Sequence, residues 1–166
     1  AGKTEWGSQG RGGGIAGYNL GVITSCVNKA TGTVTSEINF TGGIAGHNQG
    51  RILSSWNEAT VKGDRYVGGL SGKQAPPYVK DDSFFDPMLV LYQSYNAGDV
   101  HGTTLVGGLA GSGGCPTVSC YNAGNVFADD SAGGLYGMFE DVDYRIRPTN
   151  YIYACYNTGN VTTKYD

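Results

Sequence analysis

The apolar residues of this chain come in short runs of at most five, mostly broken by Gly, Asn or Ser, as in Gly50-Arg-Ile-Leu-Ser-Ser-Trp56. No stretch of ten residues carries the 3.6-residue period of an amphipathic helix, whereas β-rich runs bounded by turn formers recur throughout. The pattern predicts many short strands joined by tight turns, with no helix.

The runs are ordered by a repeat. A block Gly-Gly-aliphatic-x-Gly occurs five times, at residues 13–17, 42–46, 68–72, 107–111 and 133–137. Its second glycines are Gly14, Gly43, Gly69, Gly108 and Gly134. A second block follows each: a small residue, a large apolar one, then Asn. The asparagines are Asn28, Asn57, Asn96, Asn122 and Asn157, preceded by Val27, Trp56, Tyr95, Tyr121 and Tyr156. A valine closes each unit, at Val34, Val61, Val100, Val126 and Val161. From second glycine to Asn the gaps are 14, 14, 27, 14 and 23 residues, and from Asn to the next such glycine 15, 12, 12 and 12. The ground period is 26 residues, and the excess falls in one arc of units three and five.

Constant length with excess in one place is the behaviour of a stacked coil carrying surface loops. The expected fold is therefore all-β, a parallel β-solenoid of five coils in one domain. Its units cover residues 12–40, 41–66, 67–105, 106–131 and 132–163. A 26-residue coil has room for three short strands and three turns, each strand pairing with its counterpart about 4.8 Å away. The glycine pairs are expected at corners, where φ is positive or backbones approach closely. Counting back two from each Asn puts Cys26, Ser55, Ser94, Cys120 and Cys155 on the Asn side and the aromatics on the other, unless a corner intervenes.

Composition agrees with this picture. Glycine makes up 29 of 166 residues, yet twelve Tyr, five Phe and two Trp give the chain material to pack, which a disordered segment lacks. The net charge of −3 supplies no basic field for nucleic acid or anionic lipid. The longest apolar run, Met88 to Tyr92, is five residues against the roughly 20 of a membrane-spanning helix. The chain reads as a piece of something longer.

Val106-Gly-Gly-Leu-Ala-Gly and Ser119-Cys-Tyr-Asn-Ala-Gly-Asn-Val resemble the GLUG motif, a glycine-rich repeat of bacterial secreted and cell-surface proteins. The resemblance spans residues 12 to 163. It implies an extracellular adhesin-like module or spacer, with a host protein, a glycan or neighbouring domains as partners. The motif also accompanies IgA-specific metallopeptidases, so the alternative is an accessory recognition module of a surface protease or glycan-degrading enzyme. The motif residues are turn formers and ladder residues, which implies no catalytic role. Val27 and Tyr136 depart from the pattern, in the two terminal units.

Signals for chemistry are sparse. Gly12 to Gly17 matches GxGxxG formally, but no helix or suitably spaced acid follows it. His47 and His101 belong to no HExxH or comparable motif and read as exposed loop residues. No enzyme activity and no cofactor are expected. Asp81, Asp82 and Asp86, and Asp141 with Asp143, could supply oxygens to calcium if their loops converge, although solvated loop charge reads the same. Cys120 and Cys155 would lie on successive coils, within disulfide range, with Cys115 a competitor for either.

The two insertions should leave the same side of the solenoid, on either side of unit four, whose short segment Ser112 to Thr117 has few bulky side chains. They would wall a groove, with Tyr78, Phe84, Phe85 and Tyr92 on one side and Tyr144, Arg145, Arg147 and Tyr151 on the other. Aromatic and arginine side chains dominate binding energy at interfaces, which makes this groove the expected ligand site. Packing of the loops against each other or the solenoid wall is the competing expectation.

Overall fold

A computed structural model of the chain describes residues 10–37, 39–75, 90–140 and 150–165. These residues form a parallel β-solenoid of five coils, all β and without helix. Each coil contributes one strand to each of five sheets, so every sheet is a five-rung parallel ladder. In coil two the strands are Phe40–Gly42, Ala45–Asn48, Arg51–Leu53, Trp56–Asn57 and Thr60–Gly63. The expected three strands per coil become five, because each run is only two to four residues long before the chain turns. The chain from Gln74 to Leu91, and again from Phe139 to Ile152, joins the second sheet to the third. Both surplus segments therefore sit in the same arc of the coil.

Inside, like stacks on like. Ile44, Leu70 and Leu109 from one row and Ile52 and Leu91 from another pack into one fully buried apolar cluster. Val61, Val100 and Val126 from one sheet and Val67 and Val106 from another form a second cluster. Parallel register puts Val34, Val61, Val100, Val126 and Val161 directly in line.

The asparagines run as a polar ladder in the same interior. Each Nδ2 donates to the Oδ1 one coil further on: Asn28 to Asn57 at 2.8 Å, Asn57 to Asn96 at 2.8 Å, Asn96 to Asn122 at 2.8 Å, Asn122 to Asn157 at 2.7 Å. Buried amides are tolerated because both ends are satisfied. The neighbouring Ser and Cys positions repeat the device, with the Cys26 N–H donating to Ser55 Oγ (3.1 Å) and the Ser55 N–H to Ser94 Oγ (3.2 Å).

The glycine pairs are not left-handed corners. Among the described residues positive φ falls on Ser25, Ser54, Gln93, Ser119 and Ala154, one per coil, and on Tyr66 and Leu105, with Gly113 the one glycine. The block glycine is needed for close approach instead. A Cβ on Gly69 would overlap the Gly108 carbonyl oxygen and the Asn96 carboxamide, and the same holds for Gly108 against Gly134 and Asn122. The two sequence blocks thus meet inside each coil, glycine facing asparagine.

Candidate functional site

The groove expected between the insertions can be placed only in part. Tyr78, Phe84, Phe85, Tyr144, Arg145 and Arg147 lie outside the described residues, as do the calcium candidates Asp81, Asp82, Asp86, Asp141 and Asp143. Tyr92 is a half-buried strand residue between Leu53 and Val118. Tyr151 is exposed beside the following strand, its carbonyl accepting from the Thr117 N–H at 2.9 Å. The floor is not an open surface. Residues 111–117 are all buried, with the Glu140 N–H bonded to the Gly113 carbonyl at 3.1 Å. Among the described residues no group of three or more His, Cys, Asp or Glu could hold a metal ion.

The cysteines are free thiols. Cys120 and Cys155 do stack on successive coils, but the Cys120 N–H donates to Cys155 Sγ at 3.4 Å, the contact that serine oxygens make in coils two and three. The interaction between their side chains pushes the Cys120 thiol upward, with burial adding to it, and draws the Cys155 thiol down against the opposing effect of its own burial. Cys115 is buried, and desolvation pushes its thiol up to about 12.

The outer wall carries two features instead. Trp56, Tyr95, Tyr121 and Tyr156 stack with centroids 5.4, 4.7 and 5.1 Å apart and planes within 7° of parallel. Burial raises the Tyr95 and Tyr121 hydroxyls above their ordinary range. These rings cover one another's faces, so they present mainly edges and hydroxyls to a partner.

The second feature is a cation–aromatic cluster across the first two sheets. Arg11, Phe40 and Tyr66 come from the first sheet, and Tyr18, His47 and Lys73 from the second. Phe40 lies 5.4 Å from His47 and 5.1 Å from Tyr66, and Tyr18 lies 5.0 Å from His47. The Arg11 guanidinium sits 4.4 Å from the Tyr18 ring centre, Lys73 Nζ 5.7 Å from Tyr66 and 6.0 Å from Phe40, and Arg65 5.1 Å from Tyr66. Among the described residues none of the three cations pairs with a carboxylate, and the ion pair is Lys29 with Glu58.

His47 lies on a strand, not in a loop, half-buried at the centre of this cluster. Both ring nitrogens are buried without a partner. Burial, then Arg11 and Lys73, hold its pKa down at about 4. His101 is likewise a strand residue, stacked on Phe127 at 4.7 Å. A signal for the cluster was present: Tyr18, His47 and Lys73 each directly follow the last glycine of a block. In coils one to three that position is exposed or half-buried, whereas Ser112, its counterpart in coil four, is buried.

The arrangement offers fixed positive charge on an aromatic shelf, with a neutral imidazole between the cations. A scan against protein-family models, a search of curated proteins and a search of solved structures each return no match for this chain.

Proposed function

We propose that this solenoid is a non-catalytic, extracellular binding module that engages acidic glycans through the Arg11–Tyr18–His47–Lys73 face. The observation that carries the reading is the set of cations held over aromatic rings with no carboxylate partner among the described residues. Cation–π packing fixes the charges in place, and fixed charge on an exposed face recruits ligands of opposite sign. The interior polar groups support a binding rather than a chemical role, since Asn, Ser and Cys are consumed in coil-to-coil bonds. The glycine-rich repeat pattern supports a position outside the cell.

The test is binding to immobilised uronate-containing or sialylated glycans against neutral ones of matched length. Arg11→Glu with Lys73→Glu should weaken binding to the acidic set by about tenfold or more and leave the fold intact. Equal binding of neutral and acidic glycans, or a double variant that binds as well as wild type, would count against it. The unbroken ladders favour a rigid spacer as the second role, with five coils spanning about 24 Å.

A further inference from the structure

His47 is the one group of the cation–aromatic face whose charge changes near neutrality. Parallel register sets it directly in line with Tyr18 on coil one and Lys73 on coil three. It shares a ring with each neighbouring cation. The Tyr18 ring lies 5.0 Å from the imidazole and 4.4 Å from the Arg11 guanidinium. The Phe40 ring lies 5.4 Å from the imidazole and 6.0 Å from Lys73 Nζ.

The charge around the imidazole has one sign. Ser71–Gln74 brings Lys73 and Arg11–Gly13 brings Arg11, while Arg65, on Arg65–Gly68, sits against Tyr66. Ala16–Asn19 brings Tyr18, whose hydroxyl donates to Gln49 Oε1, and Phe40–Gly42 brings the uncharged Phe40. Among the described residues the charges that act on His47 are those of Arg11 and Lys73, and neither ring nitrogen has a partner.

Burial, then Arg11, then Lys73 oppose a proton on this ring. An anion seated on Arg11 and Lys73 cancels both like charges and adds an opposite one. The proton then costs less, and by reciprocity a proton on His47 strengthens the hold on the anion. No contact with the buried ring nitrogens is needed, because charge acts across a few ångströms of low-dielectric protein.

We infer that His47 is a proton-linked gate on this face: an anionic ligand binds together with a proton, so the module fastens on acidic glycans in acid and loosens towards neutrality. The inference rests on the acidic-glycan reading. His47 titrates at about 4 in the free protein and higher in the complex. Affinity therefore climbs as pH falls through the bound value and levels off below the free one. Arg11 and Lys73 keep their charge throughout and supply the affinity that remains at neutral pH. Cancelling nearby like charge moves a pKa by about one unit or more, and each unit is tenfold in affinity.

Maltohexaose sulfate is the probe, since sulfate esters keep their charge across the whole range. The chain has two histidines, so one proton NMR titration follows both rings. His101 lies in a different sheet, stacked on Phe127, and serves as the reference. Saturating probe should raise the His47 midpoint by about one pH unit or more and leave that of His101 in place. Calorimetry near pH 5, in buffers of different ionisation heat, should register proton uptake on binding. Affinity should rise about tenfold between about pH 7 and about pH 4.5. In His47→Gln both the uptake and the pH slope should vanish, whatever affinity the variant keeps. If that variant does not fold, the wild-type NMR titration decides alone. Binding without proton uptake, uptake that survives in His47→Gln, or equal movement of both histidines overturns the gate and leaves the glycan reading standing. A probe that binds at no pH overturns both.

Discussion

Replacing Asn96 with Ala tests whether the asparagine ladder carries the coil-to-coil cohesion assigned to it. Asn96 is fully buried in the central coil. Its amide donates to the Gly98 carbonyl at 2.6 Å and to Asn122 Oδ1 at 2.8 Å. Its oxygen accepts from Asn57 Nδ2 at 2.8 Å and from the Gly98 N–H at 3.3 Å. Truncation breaks all four and strands a donor on coil two and an acceptor on coil four, both out of reach of water. At about 1 kcal/mol per lost bond, with more where a buried partner is left unsatisfied, the expected loss is about 4 kcal/mol. For a domain of this size that corresponds to a melting temperature lower by about 8 to 16 °C. Asn157→Ala is the internal control. The same residue type stands exposed at the last rung of the ladder, where water replaces what is lost, and about 1 kcal/mol is expected. Urea melts followed by β-sheet circular dichroism give both values on one scale. Losses within about 1 kcal/mol of each other would refute the ladder as the source of cohesion.

Other outcomes follow from the same geometry. Gly69→Ala should cost about 2 kcal/mol or more, because its Cβ meets backbone and Asn96, as overpacking does. Gln93→Gly, at φ 45°, should be neutral or stabilising, since relief of the left-handed cost of about 1–2 kcal/mol exceeds the added chain entropy; equal losses in urea melts would contradict this contrast. His47 has its folded pKa depressed to about 4 from an unfolded value of about 6.5. Above that window both states are neutral, and inside it the unfolded state has bound a proton that the fold resists. Wild-type stability should therefore fall as pH drops through the window, and His47→Gln should flatten the decline; parallel profiles for the two proteins would remove His47 as the cause. With its thiol drawn below the ordinary range and only half-buried, Cys155 should be alkylated ahead of Cys115 and Cys120, which are buried; peptide mapping that finds either buried thiol labelled ahead of it would reverse this order.

The five coils and the arc of the insertions were legible because stacking fixes coil length, and a fixed length leaves a period in the sequence. Ladder identity was legible for the same reason: Asn28 to Asn157 and Val34 to Val161 recur in step. Strand number was not, because two-residue strands such as Trp56–Asn57 leave no alternation to read. The role of Gly69 was half legible. Its position signalled a special backbone, but the demand comes from Asn96 and Gly108, which only the closed coil brings near. The cation–aromatic cluster was hidden because Phe40 and Tyr66 come from one sheet and His47 and Lys73 from another. Single-chain spacing does not show which two rows of neighbouring sheets interleave. Both histidines were misplaced in loops, since a polar residue between Gly46 and Asn48 reads as a turn until the strand has a partner on each side.

The parallel stack Trp56–Tyr95–Tyr121–Tyr156 also makes the molecule an optical gauge of itself. Rings at 4.7 to 5.4 Å and nearly coplanar in orientation are close enough for their ultraviolet transitions to couple. Light absorbed by the tyrosines should pass along the stack and emerge from Trp56. Loss of one rung at Tyr95 would weaken the relay while leaving the chromophores beyond it in place. Tryptophan emission excited through tyrosine thus reads the separation of coils two to five directly, without a label, while the solenoid unwinds.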